Sequence, residues 1–415
     1  MGNYRIKCLG NDEIFDDRYT LHHTDGALVS SVYNKKLNVD VKSTGVWKYI
    51  DWLPVSKSTK HNAGTVTYKS EGLARKLGLS NLWITYHGYW PERGGLCPTG
   101  AFKDMEAVPT IQRLKDHGCN GVICASAGNT ARAFSHFCDL DNFPLIVVVA
   151  DIHAHRIWRT NPSVNDCVKI VVVENGNYAD AKIVAKEIAS KLDGWQLEGG
   201  AHNIARRDGI GSLIIDAWNE IGRMPDHYFQ GVGGGPGPIG VYEMMQRLID
   251  FGLDEGPLAK IHLSQNPEHC PIHKAWQDGR SALQDSDFPE GDVEVYSDYL
   301  LSASPAYGVK GGVYDTLKST NGETYVVERQ DAIDAGKLFE ETEGIDIMTP
   351  AEVALGSLIQ AIEEEKVNKD DCIVLNISGG GVKRLQKERG TIVVEPWMKG
   401  PKENLADLVI SSLQS

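Results

Sequence analysis

The chain has 415 residues, of which 41% are apolar and 24% charged, and a formal net charge of −14. That composition is the one expected of a soluble globular enzyme with two or three domains. A broadly acidic surface argues against nucleic acid or an anionic membrane as partner, and no apolar run approaches the ~20 residues that span a bilayer.

The first residues, Met1-Gly2-Asn3-Tyr4-Arg5, lack the apolar core of a signal peptide, so a cytoplasmic location is expected. Residues 1–60 are mixed and polar, with short apolar alternations at Tyr19 and Leu21 and at Leu28, Val29 and Val32. They read as an N-terminal extension packed on the main body. Cys8, His22, His23 and Asp25 lie in this stretch, but their spacing is not that of a zinc ribbon, and no metal is expected. The eight cysteines form no Cys-x-x-Cys pair, and several sit in apolar runs. Reduced, mostly buried thiols are expected rather than a disulfide framework.

From about residue 80, strand and helix signals alternate. Leu82–Tyr86 reads as a strand, and the stretch after Lys103 as a helix stopped by Gly118. Gly121–Ala125 is a short apolar run that ends in a turn, with a helix from Thr130. Leu145–Val149 and Val168–Val173 are β-branched runs bounded by breakers, hence strands. Helices are expected over Ala179–Leu192 and Asp208–Ile221, then a strand over Tyr228–Val232. Further helices follow at Pro238–Phe251, Asp331–Glu341 and Thr349–Glu364, and a last buried strand at Cys372–Ile377. Residues 252–325 are richer in Pro, Gly and Ser and read as loops and short elements. This alternation predicts an α/β protein with parallel sheets covered on both faces.

Three turns and one lysine carry the chemistry. Lys103 stands in Cys97-Pro98-Thr99-Gly100-Ala101-Phe102-Lys103-Asp104. A lysine that forms a Schiff base with an aldehyde cofactor needs burial or a cationic neighbour to lower its pKa. Ser126, Ala127, Gly128, Asn129 and Thr130 follow a strand and open a helix, which aims backbone N–H groups at an anion such as a substrate carboxylate. Gly233, Gly234, Gly235 and Gly237 also lie between a strand and a helix, where a cofactor phosphate fits. Gly235-x-Gly237-x-x-Gly240 equally matches the dinucleotide fingerprint, which keeps a nicotinamide or flavin oxidoreductase open as an alternative. Ser378, at the exit of the last strand, could hydrogen-bond a pyridine nitrogen. Cations available to an anionic substrate include Arg93, Arg206, Arg207, Lys310, Lys383 and Arg384, with a second basic cluster at His153, His155, Arg156 and Arg159.

The order and spacing of these segments resemble the threonine synthase branch of fold-type-II pyridoxal phosphate enzymes. Pro98–Asp104 is similar to that branch's lysine motif, Glu174–Ala181 to its Gly-Asn-Phe/Tyr-Asp-Asp-Ala turn, and His202–Arg206 to its Asn-Pro-x-Arg. Met105-Glu106 replaces the branch's usual Arg-Gly. Trp47–Pro54, Tyr68–Ala74, Gly88–Gly94 and Lys103–Arg113 resemble the cysteate synthase family.

The resemblance implies pyridoxal 5'-phosphate on Lys103, with cofactor contacts from Asn129, Gly233, Gly234, Gly235, Gly237 and Ser378. It implies substrate contacts from Ser126, Ala127, Gly128, Asn129, Thr130 and Arg206. The architecture implied is tryptophan synthase β-like: two open twisted sheets flanked by helices, the site between domains. Residues 61–106 and 216–415 would form the large cofactor-binding domain, and 107–215 the small substrate-binding domain. The reaction implied is β-replacement, with O-phospho-L-serine and sulfite giving L-cysteate and phosphate on the way to coenzyme M. Threonine synthase, acting on O-phospho-L-homoserine, is the alternative within the same cofactor class. A small anionic amino acid and sulfite are the expected partners, and a homo-oligomer the expected assembly.

Overall fold

A computed structural model describes residues 3–126, 128–160, 165–291 and 293–414. Two sheets organise the chain. The larger has six strands in the order Glu323–Val326, Lys260–Gln265, His227–Gly231, Ile373–Ile377, Leu82–Tyr86 and Val66–Lys69. All its pairings are parallel except that of the edge strand Val66–Lys69. The smaller has five parallel strands, in the order Trp195–Leu197, Gly121–Ala125, Leu145–Ala150, Val168–Val173 and Met398–Gly400. Every side chain of Leu145–Ala150 is buried, as a strand covered on both faces requires.

The expected helices and strands are present, with ends shifted by a few residues. Three differences matter. Residues 252–325 contribute two strands to the larger sheet, Lys260–Gln265 and Glu323–Val326, not only loops. Met398 pairs with Val171, which carries the end of the chain to the smaller sheet, whereas 216–415 was expected to belong wholly to the larger unit. The N-terminal extension is itself a small antiparallel sheet of Tyr4–Cys8, Ile14–Phe15 and Val29–Tyr33. Among the described residues no helix is long and apolar enough to cross a membrane, and all eight cysteines are free thiols.

The helix Lys103–Asp116 is the pivot of the site. Gly100 has φ +81, a left-handed turn that Gly tolerates without strain. Asp104 then accepts hydrogen bonds from the Thr99 N–H at 2.8 Å and the Thr99 hydroxyl at 2.5 Å, which fixes the turn into the helix. Pro109, inside the helix, cannot donate to the Met105 carbonyl four residues back. The helix Ile204–Ile221 comes against that carbonyl at Gly209, where a Cβ would stand 2.1 Å from Met105 O. The same helix meets Pro236–Asp250 at Gly211, where a Cβ would stand 2.4 Å from Gly240 O. Glycine at these contacts lets three helices pack backbone to backbone, which larger side chains would prevent.

Candidate active site

Lys103 opens its helix beside the exit of the strand Ile373–Ile377. Phe102 N–H donates to Ser378 O at 2.9 Å, Ala101 bridges Gly379, and Gly380 N–H donates to Gly100 O at 3.0 Å. The lysine turn and the Ser378–Gly381 turn are thus laced together by backbone. Asn129 reaches the same place, because its Nδ2 lies 3.9 Å from the Met348 sulfur and Met348 N–H donates to Gly379 O at 2.9 Å.

Lys103 keeps 17% of its side-chain exposure, and its Nζ donates to Glu106 Oε1 at 2.6 Å. Burial pulls the Lys103 ammonium down to about 8; Glu106 opposes that shift and the Arg206 guanidinium adds to it. Glu106 is fully buried, and burial pushes its carboxyl up, against the pull of Arg206 and Lys103. Asp104, also buried, is pushed up to about 7 by desolvation that outweighs its Thr99 hydrogen bonds.

Arg206 closes the cluster. Its Nε lies 2.6 Å from Glu106 Oε2, its Nη1 is paired with Glu198, and its Nη2 is 3.4 Å from the Thr130 hydroxyl. The local reason is a helix start. Asn203 accepts from the Ala205 N–H at 3.0 Å and donates to Glu198 O at 2.8 Å, so it caps Ile204–Ile221 and sets Glu198 against Arg206. Lys103 is therefore joined to the loop at Thr130 through one carboxylate and one guanidinium.

The glycine turn lies at the head of Pro236–Asp250. Among the described residues, the N–H groups of Gly233, Gly234 and Gly235 have no acceptor in the protein. Gly237 and Gly240 have packing roles. A Cβ at Gly237 would stand 2.3 Å from Gln230 Nε2, and one at Gly240 2.3 Å from Arg207 O. These contacts account for the fingerprint-like spacing without a dinucleotide. The turn Asp298–Leu300 bridges two loops: a Cβ at Gly233 would lie 3.1 Å from Leu300 O, and one at Gly128 3.4 Å from the Tyr299 ring. Ser126 Oγ accepts from the Gly128 N–H at 3.3 Å. Ala127 lies outside the described residues.

Most of the other expected cations have structural partners. Arg207 pairs with Glu243 at 3.0 Å, Lys383 with Glu340 at 2.7 Å and Lys310 with Asp315 at 3.3 Å, while Arg384 pairs with Glu92. Arg93 stacks over Tyr68 at 4.1 Å, and Arg156 pairs with Asp298 at 2.6 Å. Sequence reasoning gave no role to Glu106, Glu198, Met348 or the Asp298–Leu300 turn. Glu106 alone carried a signal, as a departure from the threonine synthase pattern. The turn at Glu174–Ala181 proves to be a capping box, in which Asn177 and Asp180 exchange hydrogen bonds at 3.1 and 3.0 Å at the head of Tyr178–Lys191.

These residues fit pyridoxal phosphate. A buried lysine has lowered basicity, three unclaimed amides stand at the N-terminus of a long helix, and the Ser378 hydroxyl has no hydrogen-bond partner among the described residues.

Comparison with known proteins agrees. The family described as "Pyridoxal-phosphate dependent enzyme" matches residues 59–379. The chain is 42% identical to the cysteate synthase of Methanosarcina barkeri over 99% of its own length and 100% of the relative's. It is 41% identical to that of Methanocella paludicola over 98% of its own length and 97% of the relative's. Among solved structures, maize serine racemase superimposes with a TM-score of 0.59 at 16% identity, over 78% of this chain and 90% of that one. A pyridoxal 5'-phosphate-dependent aspartate racemase does so with a TM-score of 0.57 at 14% identity, over 76% and 90%. The fold is thus the fold-type-II architecture, and the chain belongs to the pyridoxal-phosphate dependent enzymes and, within them, to the cysteate synthase family.

Proposed function

We propose that the protein catalyses β-replacement on O-phospho-L-serine, exchanging phosphate for sulfite to give L-cysteate, as a step of coenzyme M biosynthesis. The observation that carries this reading is the near full-length identity to cysteate synthases, with Glu106 and Arg206 assembled on Lys103. Bound pyridoxal phosphate supplies the electron sink that makes the Cα proton removable. Gly233, Gly234, Gly235 and Gly237 would hold its phosphate, and Ser378 and Asn129 would supply polar contacts to its ring. The loop Ser126–Thr130 would hold the substrate carboxylate. Lys103 takes the Cα proton as general base and returns it after the C–O bond at Cβ has broken and the C–S bond has formed. Arg206 has Nε and Nη1 engaged by carboxylates, and its Nη2, which donates to the Thr130 hydroxyl at 3.4 Å, would turn its second N–H to the departing phosphate.

The test is product analysis with the loaded enzyme. Phosphoserine and sulfite together should release phosphate and form cysteate, each in equal amount. Phosphate released from phosphohomoserine, with none from phosphoserine, would overturn this reading in favour of threonine synthase.

A second expectation concerns pH. Only the neutral amine of Lys103 attaches the cofactor, so the loading rate of the apoprotein should rise with pH through a midpoint near 8 and flatten above it. The Glu106 carboxylate favours the ammonium, so Glu106→Gln should move that midpoint downward. Stopped-flow absorbance across a pH series reads both, and an unchanged midpoint would remove Glu106 from the control of Lys103.

A further inference from the structure

The N-terminal sheet brings together three side chains that the active site does not use. Cys8 ends the strand Tyr4–Cys8 and is fully buried. His23 and Asp25 lie in the turn that leads to Val29–Tyr33, and Cys8 pairs with Val29 across the sheet. One ligand atom from each of Cys8, His23 and Asp25 falls within a 4.8 Å span. Cys8 Sγ is 3.0 Å from Asp25 Oδ2, and His23 Nδ1 is 3.1 Å from Asp25 Oδ1.

The surroundings resemble the outer shell of a metal site. The Gly10 N–H points at Cys8 Sγ over 3.4 Å, and the Ala27 N–H donates to Asp25 Oδ1 at 3.0 Å. His23 Nε2 lies 3.3 Å from Glu13 Oε2, so the ring turns one nitrogen to Asp25 and gives the other to a carboxylate. A carboxylate on the far nitrogen is the usual companion of a metal-bound histidine, because it fixes the ring and its tautomer. Gly10 allows the close approach, since a Cβ there would stand 2.2 Å from Asp25 Oδ2. Glu13 and His23 also line a surface depression, so the histidine's side of the cluster reaches solvent.

We propose that Cys8, His23 and Asp25 bind a divalent transition-metal ion, with water as the fourth ligand. Thiolate, imidazole and carboxylate in a four-coordinate set suit zinc. Binding replaces the S–H bond of Cys8 by a metal–sulfur bond and releases the proton to solvent, with no change of oxidation state. The ion would clasp the turn after Cys8 to the turn of His23–Asp25. It would act as a structural staple, remote from Lys103 in role, and it does not depend on which substrate the enzyme uses.

The test uses the full-length, cofactor-loaded protein, stripped with a chelator and titrated with zinc against a chromophoric competitor. One zinc per chain is expected, with affinity at least tenfold weaker in Cys8→Ser and in Asp25→Asn. Retained cofactor absorbance shows that those variants are folded. X-ray absorption on the zinc-bound wild type should show one sulfur at about 2.3 Å. No zinc bound by the wild type, or a zinc shell without sulfur, would overturn the proposal and leave a thiol hydrogen-bonded to a carboxylate. Affinity unaltered in both variants would do the same.

Discussion

Lys103→Ala protein, mixed with pyridoxal phosphate and treated with borohydride, should retain no cofactor on the chain, whereas the wild type should retain one equivalent. Turnover should fall by about 10²–10⁴-fold from loss of the base alone. The physical reason lies in the turn that presents the side chain. Phe102 N–H and Gly380 N–H lace this turn to the Ser378–Gly381 turn, so the amine emerges at a fixed place between the two sheets. Burial holds its ammonium near 8, so a usable fraction is neutral at ordinary pH. Cofactor trapped on the variant at wild-type yield would show that another amine carries it.

Arg206→Met should cost roughly 3–5 kcal/mol of stability, because it strands buried carboxylate charge. Glu106 is fully buried and Glu198 keeps 11% of its side-chain exposure; both touch this one guanidinium, and with Lys103 it balances the two carboxylates. Lys103 would still face Glu106, but Glu198 would lose its partner. Without the pull of Arg206, the Glu106 carboxyl, already pushed up by burial, would bind protons more readily in the folded state than in the unfolded one. The deficit should accordingly be full at neutral pH and shrink as pH falls and the carboxyl becomes protonated. Denaturant unfolding of wild type and variant at several pH values measures this. A triple replacement that also removes both carboxylates should recover much of the loss; failure to recover it would mean that Arg206 packs rather than neutralises.

The parts of the fold that were legible are those whose side chains announce their environment. Leu145–Ala150 and Val168–Val173 are β-branched and almost wholly apolar, and they occupy the middle of the smaller sheet. Lys260–Gln265 was missed because four of the six residues of its sequence, KIHLSQ, are polar, although most of it is buried. His262 hides there by stacking on Phe229 at 4.0 Å and hydrogen-bonding Tyr325 at 3.0 Å, partners supplied only by other strands. Met398–Gly400 is too short to carry a pattern.

In the candidate site, Lys103 and the glycine turns stand out in the sequence because their spacing is local. Glu106 showed only as a departure from the threonine synthase pattern, because its meaning depends on a guanidinium a hundred positions away in the chain, and Glu198 gave no sign of the turn that sets it against Arg206. The basic residues at 93, 207, 310, 383 and 384 drew attention by charge alone, and their partners emerge only in three dimensions.

The pairing of Met398–Gly400 with Val171–Val173 bears on the order in which the molecule assembles. The ribosome delivers Val168–Val173 long before its outer neighbour. Until Met398 emerges, that strand has a bare edge of amides and carbonyls able to template another chain. Ile373–Ile377 likewise arrives late to fill the gap between Leu82–Tyr86 and His227–Gly231. Both sheets therefore close through contacts distant in sequence, which makes folding slow and leaves the nascent chain exposed to misassociation during synthesis.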